Sequence, residues 1–176
     1  MSTPGPCEVL VVGAGPTGLT LAATLAALGV RSRIIDKTAA PSDKSRAIGV
    51  QAGSLEALGQ FFGTALANRM VEAGHKAQDA FFHFGNRQPI HVNLRLIPSA
   101  YDFVLILRQN ETERFLTEEM TRHSLAVERR TELVALNQND QGIVAQLRGP
   151  DGNVEEAAAQ FVVGCDGAHS IVRREA

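Results

Sequence analysis

The strongest constraint on this chain is a glycine triplet, Gly13-Ala14-Gly15-Pro16-Thr17-Gly18, set between a β-branched run and an alanine- and leucine-rich segment. Val9-Leu10-Val11-Val12 reads as a short strand buried on both faces. Thr17 to Leu28 reads as a helix closed by Gly29, with Leu21, Leu25 and Leu28 at i, i+4 and i+7 as an apolar stripe facing a sheet. Arg33-Ile34-Ile35 follows as a second strand ending at Asp36. Such a strand–helix–strand unit makes a parallel pair. Gly13 permits the tight turn, Gly15 lets a diphosphate approach the main chain, and Gly18 lets helix pack on strand. The helix start then offers unpaired N–H groups and a partial positive charge. Asp36, 18 residues beyond Gly18, stands where a carboxylate bonds a ribose hydroxyl pair. The expected ligand is an adenine dinucleotide with a free 2′-hydroxyl, because Asp36 repels a 2′-phosphate. The competing reading is a bare turn with a solvated acid at the strand end.

The remaining chain narrows the architecture. Residues 37–50 are polar and turn-like, with Pro41 and Ser42. Gly53 to Gly74 carries helical periodicity in Leu55, Leu58, Phe62, Leu66 and Met70. Ala80 to Leu94 and Tyr101 to Leu107 read as strands, with turns at Asn86 and Pro98-Ser99. Glu111 to Ser124 reads as a helix with Phe115 and Leu116 on its buried side. Leu133–Leu136, Ile143–Leu147 and Phe161–Val163 are short strands, and Pro150-Asp151-Gly152-Asn153 is a hairpin turn among them. A plain nicotinamide dehydrogenase domain keeps alternating strand and helix after the acid. Here antiparallel material begins by about residue 80, which disfavours two dinucleotide-binding halves.

Composition removes other classes. The 176 residues suit one domain, or one domain with an insertion. Lys plus Arg is 17 against 19 for Asp plus Glu, so no polybasic nucleic-acid grip is expected. Cys7 and Cys165 cannot form a disulfide scaffold; they read as buried thiols in a reducing compartment, and a cytoplasmic location is expected. The first basic residue is Arg31, which argues against a secretory signal. Val9 to Val30 is uncharged and long enough to span a bilayer, but Gly13, Gly15, Pro16 and Gly18 interrupt it, so no membrane span is expected. Cys165 and His169 alone do not complete a metal shell, and no metal site is expected.

Three further segments bear on which dinucleotide binds: Ser45-Arg46-Ala47-Ile48-Gly49-Val50-Gln51, Leu107-Arg108-Gln109-Asn110, and Val162-Val163-Gly164-Cys165-Asp166-Gly167-Ala168-His169-Ser170 with Val172-Arg173 behind it. Singly, Arg46 reads as a surface ion pair, Gln109 as a helix cap and Asp166-Gly167 as a strand-ending turn. Together with the glycine triplet they resemble the flavin-dependent aromatic hydroxylases, the single-component FAD monooxygenases related to para-hydroxybenzoate hydroxylase, from Val9 to about Arg174. The resemblance implies an α/β, Rossmann-like FAD-binding domain, a parallel sheet plus an antiparallel β-meander, with a β-rich insertion that starts a substrate domain. The implied division is 1–74 and 108–176 for the FAD-binding domain and 75–107 for the insertion.

The same resemblance implies roles. Gly13, Gly15 and Gly18, with Pro16 and Thr17, hold the FAD pyrophosphate; Asp36 holds the adenosine ribose, with Lys37 beside it. Arg46 lies near the pyrophosphate and the flavin, and Gln109 contacts the middle of the cofactor. Asp166 and Gly167 match a second motif where FAD and NAD(P)H come close, and His169 and Arg173 face the nicotinamide nucleotide. The implied reaction takes a hydride from NADPH or NADH onto FAD, forms a C4a-hydroperoxyflavin with O2, and hydroxylates a phenol-like ring. No residue stands out as a catalytic base. Family members continue past the Arg173 segment for as long again or longer, through a G-D motif that this chain lacks. The expectation is therefore a truncated, N-terminal portion, inactive by itself, with self-association as a homodimer or of fragments. Two alternatives stay open: a non-catalytic FAD-binding fragment, and another flavoprotein such as a reductase or a halogenase. The absence of tryptophan weighs against the last.

Overall fold

The computed structural model describes residues 7–41, 49–140 and 142–176; Arg46 lies outside them. In chain order the elements are β1 (Cys7–Val12), α1 (Pro16–Ala27), β2 (Ser32–Asp36), β3 (Gly49–Val50), α2 (Ala52–Phe62), α3 (Thr64–Ala73), β4 (His75–Ala77), β5 (Asp79–Phe82), β6 (Ile90–Asn93), a 3-10 turn (Leu94–Leu96), β7 (Val104–Ile106), α4 (Gln109–Arg122), β8 (Val127–Arg129), β9 (Glu132–Asn139), β10 (Gly142–Arg148), β11 (Val154–Gly164) and α5 (Val172–Glu175). They fall into two compact units, Met1–Ser42 with Leu116–Ala176, and Asp43–Phe115.

The first unit is built on a six-stranded sheet in the order β8-β2-β1-β11-β10-β9. Parallel pairing joins β8 to β2, β2 to β1 and β1 to β11, while β10 and β9 continue as an antiparallel meander. This is the expected mixed α/β arrangement. Central β1 is nearly all buried, as a run such as Val9–Val12 requires when strands flank it on both sides. Leu10, Val12, Ile35, Leu133, Leu147, Ala157 and Ala159 share one core, against which Ile171 and Val172 pack.

The structure corrects several expectations. Strand β11 runs 11 residues, not three. Its first half pairs antiparallel with β10 and its second half parallel with β1. The Glu- and Ala-rich stretch before Phe161 has little intrinsic strand preference, and pairing supplies it. The leucine stripe of α1 does not face the sheet. Gly18, Leu19, Ala22 and Ala23 are buried, whereas Leu28 is 68% exposed. The close approach of Gly18 to the Gly13 carbonyl and Cys165 turns the small residues inward. Cys165 is half-buried, unlike the buried Cys7.

In the second unit the periodic stretch from 53 to 74 breaks into α2 and α3 at Gly63, whose φ of +77° suits glycine. Leu55, Leu58, Leu66 and Met70 are nonetheless buried as the periodicity predicts, with Phe62 half-buried. The strands form an antiparallel sheet, β3-β7-β4, and a separate hairpin, β5-β6, whose turn contains Asn86. Among the described residues no helix is long and apolar enough to cross a membrane.

Candidate functional site

The carboxyl ends of three parallel strands converge on the loop between β1 and α1. The Gly13 N–H donates to the Ile35 carbonyl of β2 (2.8 Å), and the Cys165 N–H, just past β11, donates to the Val12 carbonyl (2.7 Å). The Gly13 φ is +104°, and a Cβ there would collide with the Cys165 carbonyl and lie 2.9 Å from the Asp166 Cα. A Cβ at Gly18 would collide with the Gly13 carbonyl. Packing within the protein thus accounts for two of the three glycines.

Gly15 is different. Its backbone is extended (φ −78°, ψ −178°), a conformation open to any residue, and a Cβ there would meet no described atom within 4 Å. Nothing among the described residues requires glycine at this position, whereas a ligand lying against the main chain would. Gly15 is also the residue before the first turn of α1, which begins with Pro16, has no side-chain cap and carries no acid in its first turn. The first N–H groups of a helix have no intrahelical partner and sit at the positive end of its dipole. A diphosphate fits this end.

Asp36 closes β2 beside the loop. Its Oδ2 accepts the Ala14 N–H at 2.7 Å, while Oδ1 accepts the Thr38 N–H at 2.8 Å and the Thr38 hydroxyl at 2.6 Å. Burial pushes the carboxyl pKa up, but the bonds from Thr38 and Ala14 and the charge of Arg129 outweigh it and hold the group below its usual range. Asp36 is therefore a charged acceptor at neutral pH, suited to a hydroxyl donor. Lys37, next in the chain, is exposed.

The Asp166 segment stands behind the glycine loop. Asp166 Oδ2 accepts the N–H groups of Ile171 (2.6 Å) and Val172 (3.5 Å), so this carboxylate folds its own loop onto the start of α5. Burial raises its pKa, and bonds from Ser170, Ile171 and Val172 more than reverse that. Its Oδ1 is buried with no hydrogen-bond partner among the described residues. Gly167 takes a φ of +79°. His169 is exposed, and the Arg173 guanidinium donates to the Ala168 carbonyl at 2.7 Å. Burial raises the Cys165 thiol pKa and the Asp166 charge adds to it, so this sulfur is a protonated bystander. Gln109 opens α4 in the other unit, where its side chain donates to buried Glu113 at 2.8 Å.

The structure brings together Gly13, Gly15, Pro16, Thr17, Gly18, Asp36 and the backbone of Asp166. Sequence reasoning missed Ala14, Thr38 and Arg129. Thr38, two residues after an aspartate, carries a local turn signal. Arg129 carries none, because only the pairing of β8 with β2 sets it beside Asp36.

Comparison with known proteins shows the family and the fold. Residues 6–176 match a family described as FAD binding domain. The chain is 36% identical over 167 residues to pentachlorophenol 4-monooxygenase of Sphingobium chlorophenolicum, covering 94% of this chain and 30% of that protein. It is 36% identical over 167 residues to rifampicin monooxygenase of Streptomyces venezuelae, covering 95% and 33%. Among solved structures, OxyS anhydrotetracycline hydroxylase from Streptomyces rimosus superposes with a TM-score of 0.86 at 29% identity, over 96% of this chain and 33% of that one. The chain spans about a third of the length of these relatives.

Proposed function

The chain belongs to the FAD binding domain family, and from that premise we propose that it is the cofactor-holding portion of an NAD(P)H-dependent monooxygenase for a small, phenol-like aromatic substrate. FAD, when bound, would supply the redox chemistry, with the two electrons of NADPH or NADH and one O2 consumed, one oxygen atom going to the ring and the other leaving as water.

In this reading the free N–H groups at the start of α1, at Thr17 and Gly18, take the cofactor diphosphate, and Gly13 and Pro16 shape the loop that brings it there. Asp36 takes the adenosine ribose, with the Lys37 cation nearby. Arg46 and Gln109 are cofactor contacts on the strength of their motifs alone. Asp166 and Gly167 hold the wall behind the loop, and His169 and Arg173 meet the nicotinamide nucleotide. Residues 75–107 begin the substrate domain, 1–74 and 108–176 belong to the FAD-binding domain, and the protein works in the cytoplasm.

A single observation carries the proposal: an uncapped helix start with, among the described residues, open space at Gly15, next to an ionised Asp36. Titration of the chain with FAD, followed by flavin fluorescence, tests it. We expect saturable binding that ADP-ribose displaces, and FMN, which lacks the adenosine half, bound at least about tenfold more weakly, ~1.4 kcal/mol. Failure to bind FAD, or equal affinity for FMN, overturns the reading.

A further inference from the structure

We propose that Arg129 is a positioning residue for the adenosine end of the site: with Thr38 it fixes one oxygen of Asp36, so that the other presents a single open acceptor position to a ribose hydroxyl. The inference rests on the FAD reading above.

Strand pairing sets Arg129 of β8 directly beside Asp36 of β2. The Arg129 Nη1 lies 3.8 Å from Asp36 Oδ1 and donates to the Thr38 hydroxyl oxygen at 3.4 Å. Both side chains are mostly enclosed, 21% and 15% exposed. The turn after β8 is bonded to the end of β2, so this approach is built in. The Arg130 N–H donates to the Thr38 carbonyl (3.2 Å) and the Thr131 N–H to the Asp36 carbonyl (3.0 Å). Arg130 takes a left-handed φ of 55° to make the turn, an uncommon conformation for a non-glycine residue.

A carboxylate offers about four lone-pair positions. The Thr38 N–H fills one position on Oδ1, and the Thr38 hydroxyl fills the other with the single proton that the Ala40 carbonyl, at 3.0 Å, also invites. The Arg129 guanidinium, donating to the hydroxyl oxygen, turns that proton toward Oδ1 and draws the same carboxylate oxygen electrostatically. Oδ2 accepts the Ala14 N–H from the β1–α1 loop and keeps one position open among the described residues. The sequence alone suggests a hydroxyl pair shared by the two oxygens; the bonding leaves room for one hydroxyl, on the oxygen that faces the loop. Without Arg129 the Thr38 hydroxyl can give its proton to the Ala40 carbonyl instead, Oδ1 regains an open position, and the two ends of the carboxylate compete for the ligand.

The test compares the binding of ADP with that of 2′-deoxy-ADP and 3′-deoxy-ADP to the chain and to Arg129→Met, Arg129→Lys and Arg129→Gln, by calorimetry. The original chain should prefer ADP about tenfold over one deoxy analogue and show little preference over the other. In Arg129→Met that preference should shrink to within about twofold, with partial recovery in Arg129→Lys. Thermal unfolding identifies any variant that fails to fold, and Arg129→Gln replaces the methionine variant in that event. Full preference retained in the folded variants overturns this inference and leaves the FAD reading standing. An original chain that binds neither FAD nor ADP overturns both, and one that binds FAD and ADP without discriminating any deoxy analogue overturns this inference while the FAD reading stands.

Discussion

Strand β2 meets β8 through charge at two places, and the two are opposites. Arg33 of β2 forks onto Glu128 of β8 at 2.8 and 2.7 Å and reaches Glu155 of β11 at 2.9 Å. Three residues further on, Asp36 of β2 faces Arg129 of β8 at 3.8 Å. The first cluster is closed: Arg33 is 10% exposed, and the bonds it donates to Glu128, against the cost of burial, raise its already high pKa. The second is open, since its acid keeps an acceptor position free and its cation stands off. A buried guanidinium already bound to two carboxylates ties strands together rather than waiting for a ligand. An unsaturated acid beside an uncapped helix start is where a ligand completes the bonding.

The comparison breaks most visibly if the closed cluster is opened. Arg33→Met strands two carboxylates and should lower the unfolding free energy in urea by about 3 kcal/mol, the low end for a buried pair. The low end applies because Glu128 and Glu155 keep 36% and 42% exposure. The preference of the folded variant for FAD over FMN should not change; a lost preference with unchanged stability would reverse the roles assigned to the two clusters.

Asp36→Asn should do the converse. It keeps the shape but removes the charge that accepts from Ala14, Thr38 and the ribose. FAD affinity should fall about 30-fold, ~2 kcal/mol, read by flavin fluorescence, with a smaller change in urea midpoint than Arg33→Met produces.

The smallest effect lies in pH. The folded pKa of Asp36 is below its ordinary value of 3.8. Its stabilisation is thus complete above that ordinary value and is lost as pH falls through the lower, folded one. Urea midpoints at decreasing pH should show the advantage of the original chain over Asp36→Asn shrinking below about pH 4. An advantage that grows on acidification would mean the shift has the other sign.

How much of this was legible follows from where the information lies. The β1–α1–β2 unit and the position of Asp36 are local, carried by Val9–Val12, the glycines and the spacing to the acid, and the fold keeps them. The buried face of α1 was misread because Gly13 and Cys165, both outside the helix, fix the rotation at Gly18. Periodicity found the buried residues of α2 and α3 but not the break at Gly63, where a single positive φ redirects the chain. The site was half legible. Its glycines and acid announce themselves, whereas Arg129 lies 91 residues from Thr38 and is brought to it by an edge strand without a motif. Asp166 was recognisable, but its bonds to Ile171 and Val172 depend on a loop geometry that no spacing reveals.

The central claim is that a nucleotide diphosphate rests on the main chain where α1 begins. Amide chemical shifts of the isotope-labelled chain during FAD addition test it most directly. The N–H signals of Gly15, Thr17 and Gly18 should move together and saturate with the flavin fluorescence, while those of the Arg33 cluster stay in place. Saturable FAD binding that leaves those three amides unmoved, or no binding at all, would contradict the account.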